Sequence, residues 1–596
     1  MRTFLCLIAI LTMFAIVVGC QGGKEPVTPG EQDNNPPQWE RVVGIINATA
    51  EDGTITVSWD KAVDAKSPPV KYLVYLDTDD NPWDKDPIVL DTTDPYTFAG
   101  LTNDIEYWAG IRCRDSANPP NVDKNTFTVS VMPKGSYWVR TWGGERPDEP
   151  SGLASDADGN IFVAGSFSGT VDFDPSVNIV EKKSAGISPS AVDSFLVKYS
   201  EDGVFQWVLT WGGVFSDPAR GIVVNSGGDI YVCGYYSGWV DFDPGPGIEG
   251  HESHFDSNYA EEGYLSKFDN NGNFQWVKIW SLDEGELPKS MELDSIGNIV
   301  IAGHFALLKF DSSGNTLSKI SWGYPYADQD EIFSVAVDQS NNMYVYGVFQ
   351  EDMDMDPTGG QDIVTISSEN YTDIFVIKLL SDGSYGWSRT WGGEDLDYAC
   401  DITTDNAGNI YTAGAFNGEA DFDPGPGTFI LTSNNGGDIH NDSYDAFLSK
   451  MDSDGDFIWA KSWGSESHDT ANSLIIDGAG NCVVAGNVWC YSDMNPGDGT
   501  DFITDCNGWN HYLSKFDSVG NYKSFQSCGG IHASEFSWPY KIDLLESGSG
   551  YYYLLGVYDN GYGYLADVDL RLGPEVEKYT TPENYGEDIF ISKTSF

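Results

Sequence analysis

The chain has 596 residues, too many for one ordinary domain, and its 40% hydrophobic and 14% aromatic content supports packed cores and excludes a disordered class. A formal net charge of −59 excludes the clustered Lys and Arg that a phosphate backbone needs, so nucleic acid is not an expected partner, and an anionic membrane surface is equally unfavourable. The 66 glycines, with many Asp and Asn, suit a turn-rich β protein.

In chain order, Arg2 precedes an apolar run from Phe4 to Val18, too short to span a bilayer and ending in Val17-Val18-Gly19-Cys20. That ending resembles the bacterial lipobox. The resemblance implies a signal peptide at 1–19, cleavage before Cys20 and lipidation of its thiol, so that acyl chains alone anchor an exported protein to the cell envelope. Gln21 after the Cys implies the outer membrane in a diderm host, and otherwise the anchor holds to the outer face of the cytoplasmic membrane. Residues 20–38 lack apolar periodicity and are rich in Gly, Pro and polar groups, which predicts a flexible tether.

Residues 39–133 alternate apolar and polar positions in Thr54–Trp59, Lys71–Leu76, Tyr107–Arg112 and Thr126–Val131. With Trp59, Tyr72 and Leu101-x5-Tyr107, this segment resembles a fibronectin type III β-sandwich, which implies a spacer.

The rest, 134–596, repeats. A strand of the form GNIYVAG recurs at Gly159–Gly165, Gly228–Gly234, Gly297–Gly303, Asn341–Gly347, Gly408–Gly414, Gly480–Gly486 and Gly550–Gly556, seven times in all. Each copy travels with a strand carrying Lys198, Lys267, Lys309, Lys378, Lys450, Lys515 or Lys593, and with a strand carrying Trp142, Trp211, Trp280, Trp322, Trp391 or Trp463, Cys528 standing at the seventh place. One unit reads as four strands, A to D, in two tight hairpins, with a long insert between B and C. These motifs resemble the bacterial seven-bladed β-propeller repeat family, which implies an all-β fold and is silent on activity.

The phase of the repeat is informative. Tyr137–Trp142 is a D strand with no C strand before it, and Ile589–Lys593 is a C strand with no D strand after it. The expectation is a ring closed by pairing the two, which removes free sheet edges. A–B and C–D turns then share one face, and the long B–C inserts share the other, where binding is expected. Only His304-Phe305 separates B from C in the third unit, which predicts a notch in that face. Recurring Trp pairs predict packing between neighbouring units, the rival being an aromatic ladder for sugars.

Candidate chemistry is sparse. Four carboxylate pairs recur in the inserts as Asp-Phe-Asp-Pro or Asp-Met-Asp-Pro: Asp172 with Asp174, Asp241 with Asp243, Asp354 with Asp356, and Asp421 with Asp423. Asp493-Met494-Asn495-Pro496 is a variant. Two carboxylates on one side of an extended segment repel unless a cation or N–H donors face them, so either Ca²⁺ sites or Asp-capped turns fit. Cys490 and Cys506 share one insert of an exported chain and can pair. His251-x-x-His254 lacks a zincin glutamate, and no Gly-x-Ser-x-Gly elbow or Cys–His signature occurs. The expectation is a lipid-anchored, extracytoplasmic binding or scaffold protein engaging an extracellular protein, glycan or polymer, and no enzyme. The alternative is a surface polysaccharide hydrolase or lyase working in the central funnel.

Overall fold

A computed structural model resolves the chain into two compact units, Met1–Gly135 and Ser136–Phe596. It describes residues 33–40, 44–51, 53–91, 95–101, 105–133, 137–144, 146–176, 178–188, 190–254, 261–281, 287–322, 330–366, 371–434, 443–489, 491–497, 499–503, 509–531, 542–547, 550–558, 567–570, 572, 578–580 and 588–596. Cys20, Cys490 and Cys506 lie outside the described residues.

In the first unit, Thr54–Trp59 pairs with Ile45–Glu51 and Tyr96–Ala99 in a three-stranded sheet. Lys71–Asp77 pairs with Ile88–Leu90 and Tyr107–Arg114, and the latter with Thr128–Val131, in a four-stranded one. Alternation in Thr54–Trp59 points Ile55, Val57 and Trp59 inward, where they meet Tyr72, Val74, Ala109 and Ile111 in one core. The Tyr72 hydroxyl inside that core accepts the Ala62 N–H at 2.8 Å. Residues 33–38, assigned to the tether from sequence, are held against this unit: Ser67 Oγ donates to Asp33 at 2.8 Å, and Gln38 pairs with Val63.

The second unit is a β-propeller. Among the described residues, seven ladders share the order A-B-C-D. Six follow the chain: their A strands are Glu149–Ser155, Ala219–Val224, Pro288–Leu293, Glu331–Val337, Asp397–Thr404 and Thr470–Ile476. The seventh takes Asp543–Glu546, Tyr552–Tyr558 and Asp588–Thr594 from the end of the chain, and its D strand, Trp138–Gly144, from the beginning. Five residue pairs, from Trp138↔Lys593 to Trp142↔Ile589, join those two segments. Each A strand lies against the A strand of the next sheet, and Asp543–Glu546 lies against Glu149–Ser155.

The repeat's fixed ends have steric causes. Gly159, Gly228, Gly297, Gly408, Gly480 and Gly550 all adopt φ between 79° and 83°, and Asn341 takes the same place at φ 62°. The closing glycine has a different reason. A Cβ on Gly165, Gly234, Gly347, Gly414 or Gly486 would lie 1.9–2.4 Å from a carbonyl oxygen of the adjoining A-strand segment. Between these ends the B strand is fully buried, as Ile161–Phe167 and Ile410–Phe416 illustrate.

Three devices join neighbouring sheets. The D-strand tryptophans pack on the C strand of the next sheet, with Trp142–Tyr199 at 5.5 Å, Trp211–Phe268 at 5.4 Å, Trp280–Phe310 at 5.6 Å and Trp463–Phe516 at 5.3 Å. The C-strand lysines reach the C–D turn of the next sheet: Lys198 Nζ donates to Asn270 O at 3.1 Å, Lys378 to Ser453 O at 2.7 Å and Lys450 to Ser518 O at 3.0 Å. Lys593 makes the same bond to Glu201 O at 3.2 Å. The third device is a small hairpin inside the insert. Thr170–Asp172 of the first sheet's insert pairs with Gly143 and Gly144, and Glu419–Asp421 of the fifth pairs with Gly392 and Gly393.

Candidate functional site

The Asp-x-Asp inserts form one repeated turn. Asp172 Oδ1 accepts the N–H of Asp174 at 3.2 Å and of Val180 at 2.8 Å, while Asp174 Oδ1 accepts Ser176 N–H at 2.9 Å. Asp241 Oδ1 takes the N–H groups of Asp243 and Glu249, and Asp243 Oδ1 takes that of Gly245. Asp354 Oδ1 accepts Asp356 N–H at 3.2 Å and Asp362 N–H at 2.8 Å, while Asp356 Oδ1 accepts the N–H and the hydroxyl of Thr358 at 2.8 and 2.6 Å. Asp421 Oδ1 accepts Asp423 N–H at 3.1 Å and Phe429 N–H at 2.8 Å, and Asp423 Oδ1 accepts Gly425 N–H at 2.8 Å. Asp493 and Asn495 follow the same plan.

These bonds are those of Asp-capped turns. One oxygen each of Asp172, Asp174, Asp241, Asp243, Asp354, Asp356, Asp421 and Asp423 already faces its own loop's donors. The residue between each pair is a plug: Phe173, Phe242, Met355, Phe422 and Met494 are at most 1% exposed. Gly247 is required because a Cβ there would stand 2.0 Å from Asp243 Oδ2.

A cavity of about 1190 Å³ runs along the A strands of all seven sheets. A β-bulge interrupts the same register position in the first six A strands. Arg220, Lys289, Phe333, Cys400 and Asn472 occupy the bulges and line the cavity together with Glu149, Glu331 and Tyr398. At the third sheet, where the B–C connection shrinks to two residues, His304 Nε2 comes 3.0 Å from Glu331 Oε1 and Lys289 Nζ lies 2.5 Å from the same oxygen. Burial raises the Glu331 carboxyl, but bonds to His304 and the Lys289 charge outweigh it and hold it below the usual range.

Below the mouth, the position after the bulge carries Gly152, Gly221, Ser290, Ser334, Asp401, Ser473 and Asp543 in the seven sheets. The polar members bond across sheets. Asp401 accepts Ser334 Oγ at 2.8 Å from the sheet before and Leu474 N–H at 3.0 Å from the sheet after. Asp543 accepts Leu153 N–H at 2.7 Å, which links the seventh sheet to the first, and Ser473 Oγ reaches both Asp401 and Asp543 at 3.3 and 3.2 Å. Burial, countered by those bonds and reinforced by Asp543, pushes Asp401 up to about 6. Glu292 lines the cavity with its side chain exposed to it, and desolvation by the surrounding walls and the Asp401 charge push its carboxyl up, against a bond from Leu293 N–H.

His251, His254 and His511 are each held by separate partners. His251 Nε2 bonds Glu249 and His254 Nδ1 bonds Glu262, at 3.0 and 2.8 Å, as separate pairs. His511 is buried against Phe590 and bonds Val557 O at 2.9 Å. Sequence reasoning missed the cavity layer, because Ser290, Ser334, Asp401, Ser473 and Asp543 differ in type and only the strand register aligns them. In the first unit, carboxylate oxygens of Asp33, Asp64 and Asp115 lie within 4.8 Å of one another, each already held by neighbouring donors.

No family model matches the chain. It is 30% identical over 176 residues to the regulatory protein FlaEY of Caulobacter vibrioides, covering 28% of this chain and 16% of that protein. It is 23% identical over 378 residues to an uncharacterized WD repeat-containing protein, L264, of Acanthamoeba polyphaga mimivirus, covering 56% of this chain and 24% of that protein. The matched stretches therefore span a quarter or less of those relatives' own length. Among solved structures, the WD40 domain of Neurospora crassa Pan2 aligns over 76% of this chain and 95% of its own, with 9% identity and a TM-score of 0.37. A Xanthomonas campestris gluconolactonase, XC5397, aligns over 57% of this chain and 84% of its own, with 12% identity and a TM-score of 0.28.

Proposed function

We propose that the chain is an extracytoplasmic binding or scaffold propeller, anchored through an acylated Cys20, that takes an extracellular glycan, polymer or protein segment at the mouth of its central cavity. The observation that carries this reading is the cavity itself. It is lined from all seven A strands and combines Arg220, Lys289, Glu149 and Glu331 with the rings of Phe333 and Tyr398. A few polar groups set among apolar walls are what orient a ligand in a concave site. In this reading the seven ladders are blades of one closed ring. The Trp138–Trp142 pairing with Ile589–Lys593, the Lys593 bond to Glu201 and the Asp543 bond to Leu153 support closure. The first unit is read as a fibronectin type III-like spacer, supported by its three-stranded and four-stranded sheets. No helix among the described residues is long and apolar enough to cross a membrane.

The test is a glycan and envelope-polymer array probed with the wild-type chain and with an Arg220→Ser/Lys289→Ser variant. Retention on a ligand class, lost in the variant, supports the reading; equal retention by both sinks it. A second reading, hydrolysis or lysis of polysaccharide, is favoured by one observation: two carboxyls, Glu292 and Asp401, line the same cavity, and their surroundings push both upward. Release of reducing ends or unsaturated products by the wild type, lost in Glu292→Gln, would establish it in place of the first.

A further inference from the structure

The inserts are not the only place where aspartates recur in pairs. An Asp follows each of four D-strand tryptophans by six residues: Asp148 after Trp142, Asp217 after Trp211, Asp397 after Trp391 and Asp469 after Trp463. Another Asp precedes each of four C-strand aromatics by two: Asp193 before Phe195, Asp373 before Phe375, Asp445 before Phe447 and Asp588 before Phe590. The fold brings these two series together at junctions between sheets. Asp588 meets Asp148, Asp193 meets Asp217, Asp373 meets Asp397 and Asp445 meets Asp469, close enough for the charge of one to act on the other.

All eight are buried. The Asp that follows the tryptophan caps its own loop: Asp148 accepts Gly144 N–H at 2.9 Å, Asp217 accepts Gly213 N–H at 2.6 Å, Asp397 accepts Gly393 N–H at 2.9 Å and Asp469 accepts Ser465 N–H at 2.5 Å. On the other series, one oxygen of Asp193 accepts Ala185 N–H and one of Asp445 accepts Asn434 N–H, at 2.8 and 3.1 Å. Their second oxygens have no donor. Oδ1 of Asp193, Asp445 and Asp588, on residues 4%, 2% and 7% exposed, lacks any hydrogen-bond partner, and so does Oδ1 of Asp397, 1% exposed.

The orphan oxygens of Asp193, Asp445 and Asp588 each lie against the glycine that follows a D-strand tryptophan, and at the remaining junction Asp373 Oδ1 and Asp397 Oδ2 do so. A Cβ built on Gly464 would lie 2.5 Å from Asp445 Oδ1 and 2.8 Å from Asp469 Oδ2, and one on Gly392 would lie 2.5 Å from Asp373 Oδ1 and 2.6 Å from Asp397 Oδ2. The same test puts Asp193 Oδ1 2.6 Å from the Gly212 position and Asp588 Oδ1 1.9 Å from the Gly143 position. The glycine after each tryptophan is therefore required because the paired carboxylates pack where a side chain would stand.

We propose that the four aspartate pairs are the carboxylate floors of divalent-cation sites, one at each of these junctions, with Ca²⁺ as the occupant their chemistry fits. The described donors are hard oxygens with no nitrogen or sulfur among them, which selects Ca²⁺ over zinc-like ions. A proton shared across a pair still leaves one net negative charge buried at the junction, whereas a divalent cation neutralises both carboxylates. The charge-raising environment agrees: burial, eased by the Ser168 and Gly144 N–H groups and worsened by Asp588, pushes Asp148 up to about 8. A cation at each junction would cross-link consecutive sheets, including the last to the first.

The test uses the full chain, stripped with EDTA and titrated with Ca²⁺ by calorimetry, with Tb³⁺ luminescence sensitised by the adjacent tryptophans as a readout on the unmutated protein. Expected are more than one Ca²⁺ per chain, a rise in melting temperature on adding it, and Tb³⁺ emission that Ca²⁺ quenches. Asp445→Asn should lower the stoichiometry by one, and Asp243→Asn, in an insert, should leave it unchanged. Absence of both calorimetric binding and Tb³⁺ emission overturns the proposal. So does a stoichiometry that falls with Asp243→Asn and not with Asp445→Asn, or a stripped protein indifferent to Ca²⁺ whose melting temperature climbs steadily from pH 8 to pH 5, the signature of shared protons.

Discussion

Removing residues 588–596 is the most direct test of how the propeller holds its ends. All seven residues of Asp588–Thr594 are buried, and the strand pairs with Tyr552–Tyr558 on one side and Trp138–Trp142 on the other. Ile589, Phe590 and Ile591 are fully buried, and at about 1.5–3 kcal/mol each their burial amounts to roughly 5–9 kcal/mol. The deletion also leaves two bare strand edges and removes the Lys593 bond to Glu201. A loss of that size is comparable to the ~5–15 kcal/mol that holds a whole domain together. Trp138–Gly144 should then detach, exposing Arg140 and Arg146 to trypsin. Limited proteolysis with mass spectrometry reads those cuts, and calorimetry reads the lowered and broadened transition. A milder companion is Phe590→Ala, expected to cost about 3–5 kcal/mol, matched against Phe375→Ala at the same register position in the fourth sheet. If the truncated chain shows the wild-type digestion pattern and transition, the terminal strand is not a structural closure and the ring argument fails.

Other outcomes follow from single residues. His511 is buried with its imidazole held down to about 4 by desolvation, partly offset by the bond to Val557 O, against an ordinary value near 6.5. Its folded value is depressed, so its contribution is fully present above pH ~6.5 and is lost as pH falls toward 4, at most about 3 kcal/mol. His511→Gln should flatten the melting temperature between pH 6.5 and 4.5 relative to wild type, and parallel curves would contradict this. Phe242→Ala empties a fully buried site between Tyr236 and Tyr264, at 5.1 Å from each, and should cost about 3–5 kcal/mol. Hydrogen exchange should quicken in Trp239–Glu252 before it quickens in the four-stranded ladder; uniform quickening would show that the insert hairpin is not a separate unit. Asp401→Ala strands Ser334 Oγ and Leu474 N–H, at about 1–3 kcal/mol for each orphaned group, whereas Asp401→Asn keeps an acceptor and should cost less. Equal melting temperatures for the two variants would remove the cross-sheet staple from the account.

How much of this was legible depended on whether a residue's role is local. Gly159 and its equivalents were readable because a tight turn demands positive φ from whatever sits there, and the demand repeats at every A–B hairpin. The phase of the repeat was readable too, since Tyr137–Trp142 and Ile589–Lys593 are halves of one hairpin wherever they fall in the chain, and they pair. The C-strand lysines were visible as a pattern but not as a mechanism. Lys378 makes sense only beside the Ser453 carbonyl, 75 residues on, which the register of two sheets brings to it. The cavity layer was invisible, because Ser290, Asp401 and Asp543 share a position but no residue type.

The aspartates show the same limit from the other side. Among 91 acidic residues, the Asp-Phe-Asp-Pro pairs drew notice because they are adjacent in sequence, and adjacency suggests a shared ligand. In the structure those carboxylates meet the N–H groups of their own turns, as Asp243 does at Gly245, Asp356 at Thr358 and Asp423 at Gly425. Asp445 and Asp469 are 24 residues apart in the chain, yet they converge on Gly464, and it is Asp445 that keeps an oxygen without a donor. Proximity in sequence favours self-satisfaction, because a short loop can fold its own backbone donors onto its own acceptors. A carboxylate left over for a ligand is more readily produced where two loops from different sheets meet and neither backbone can reach the gap. In this fold that condition holds at the junctions, so the junction pairs and the cavity mouth are where bound cations and bound ligand are to be sought.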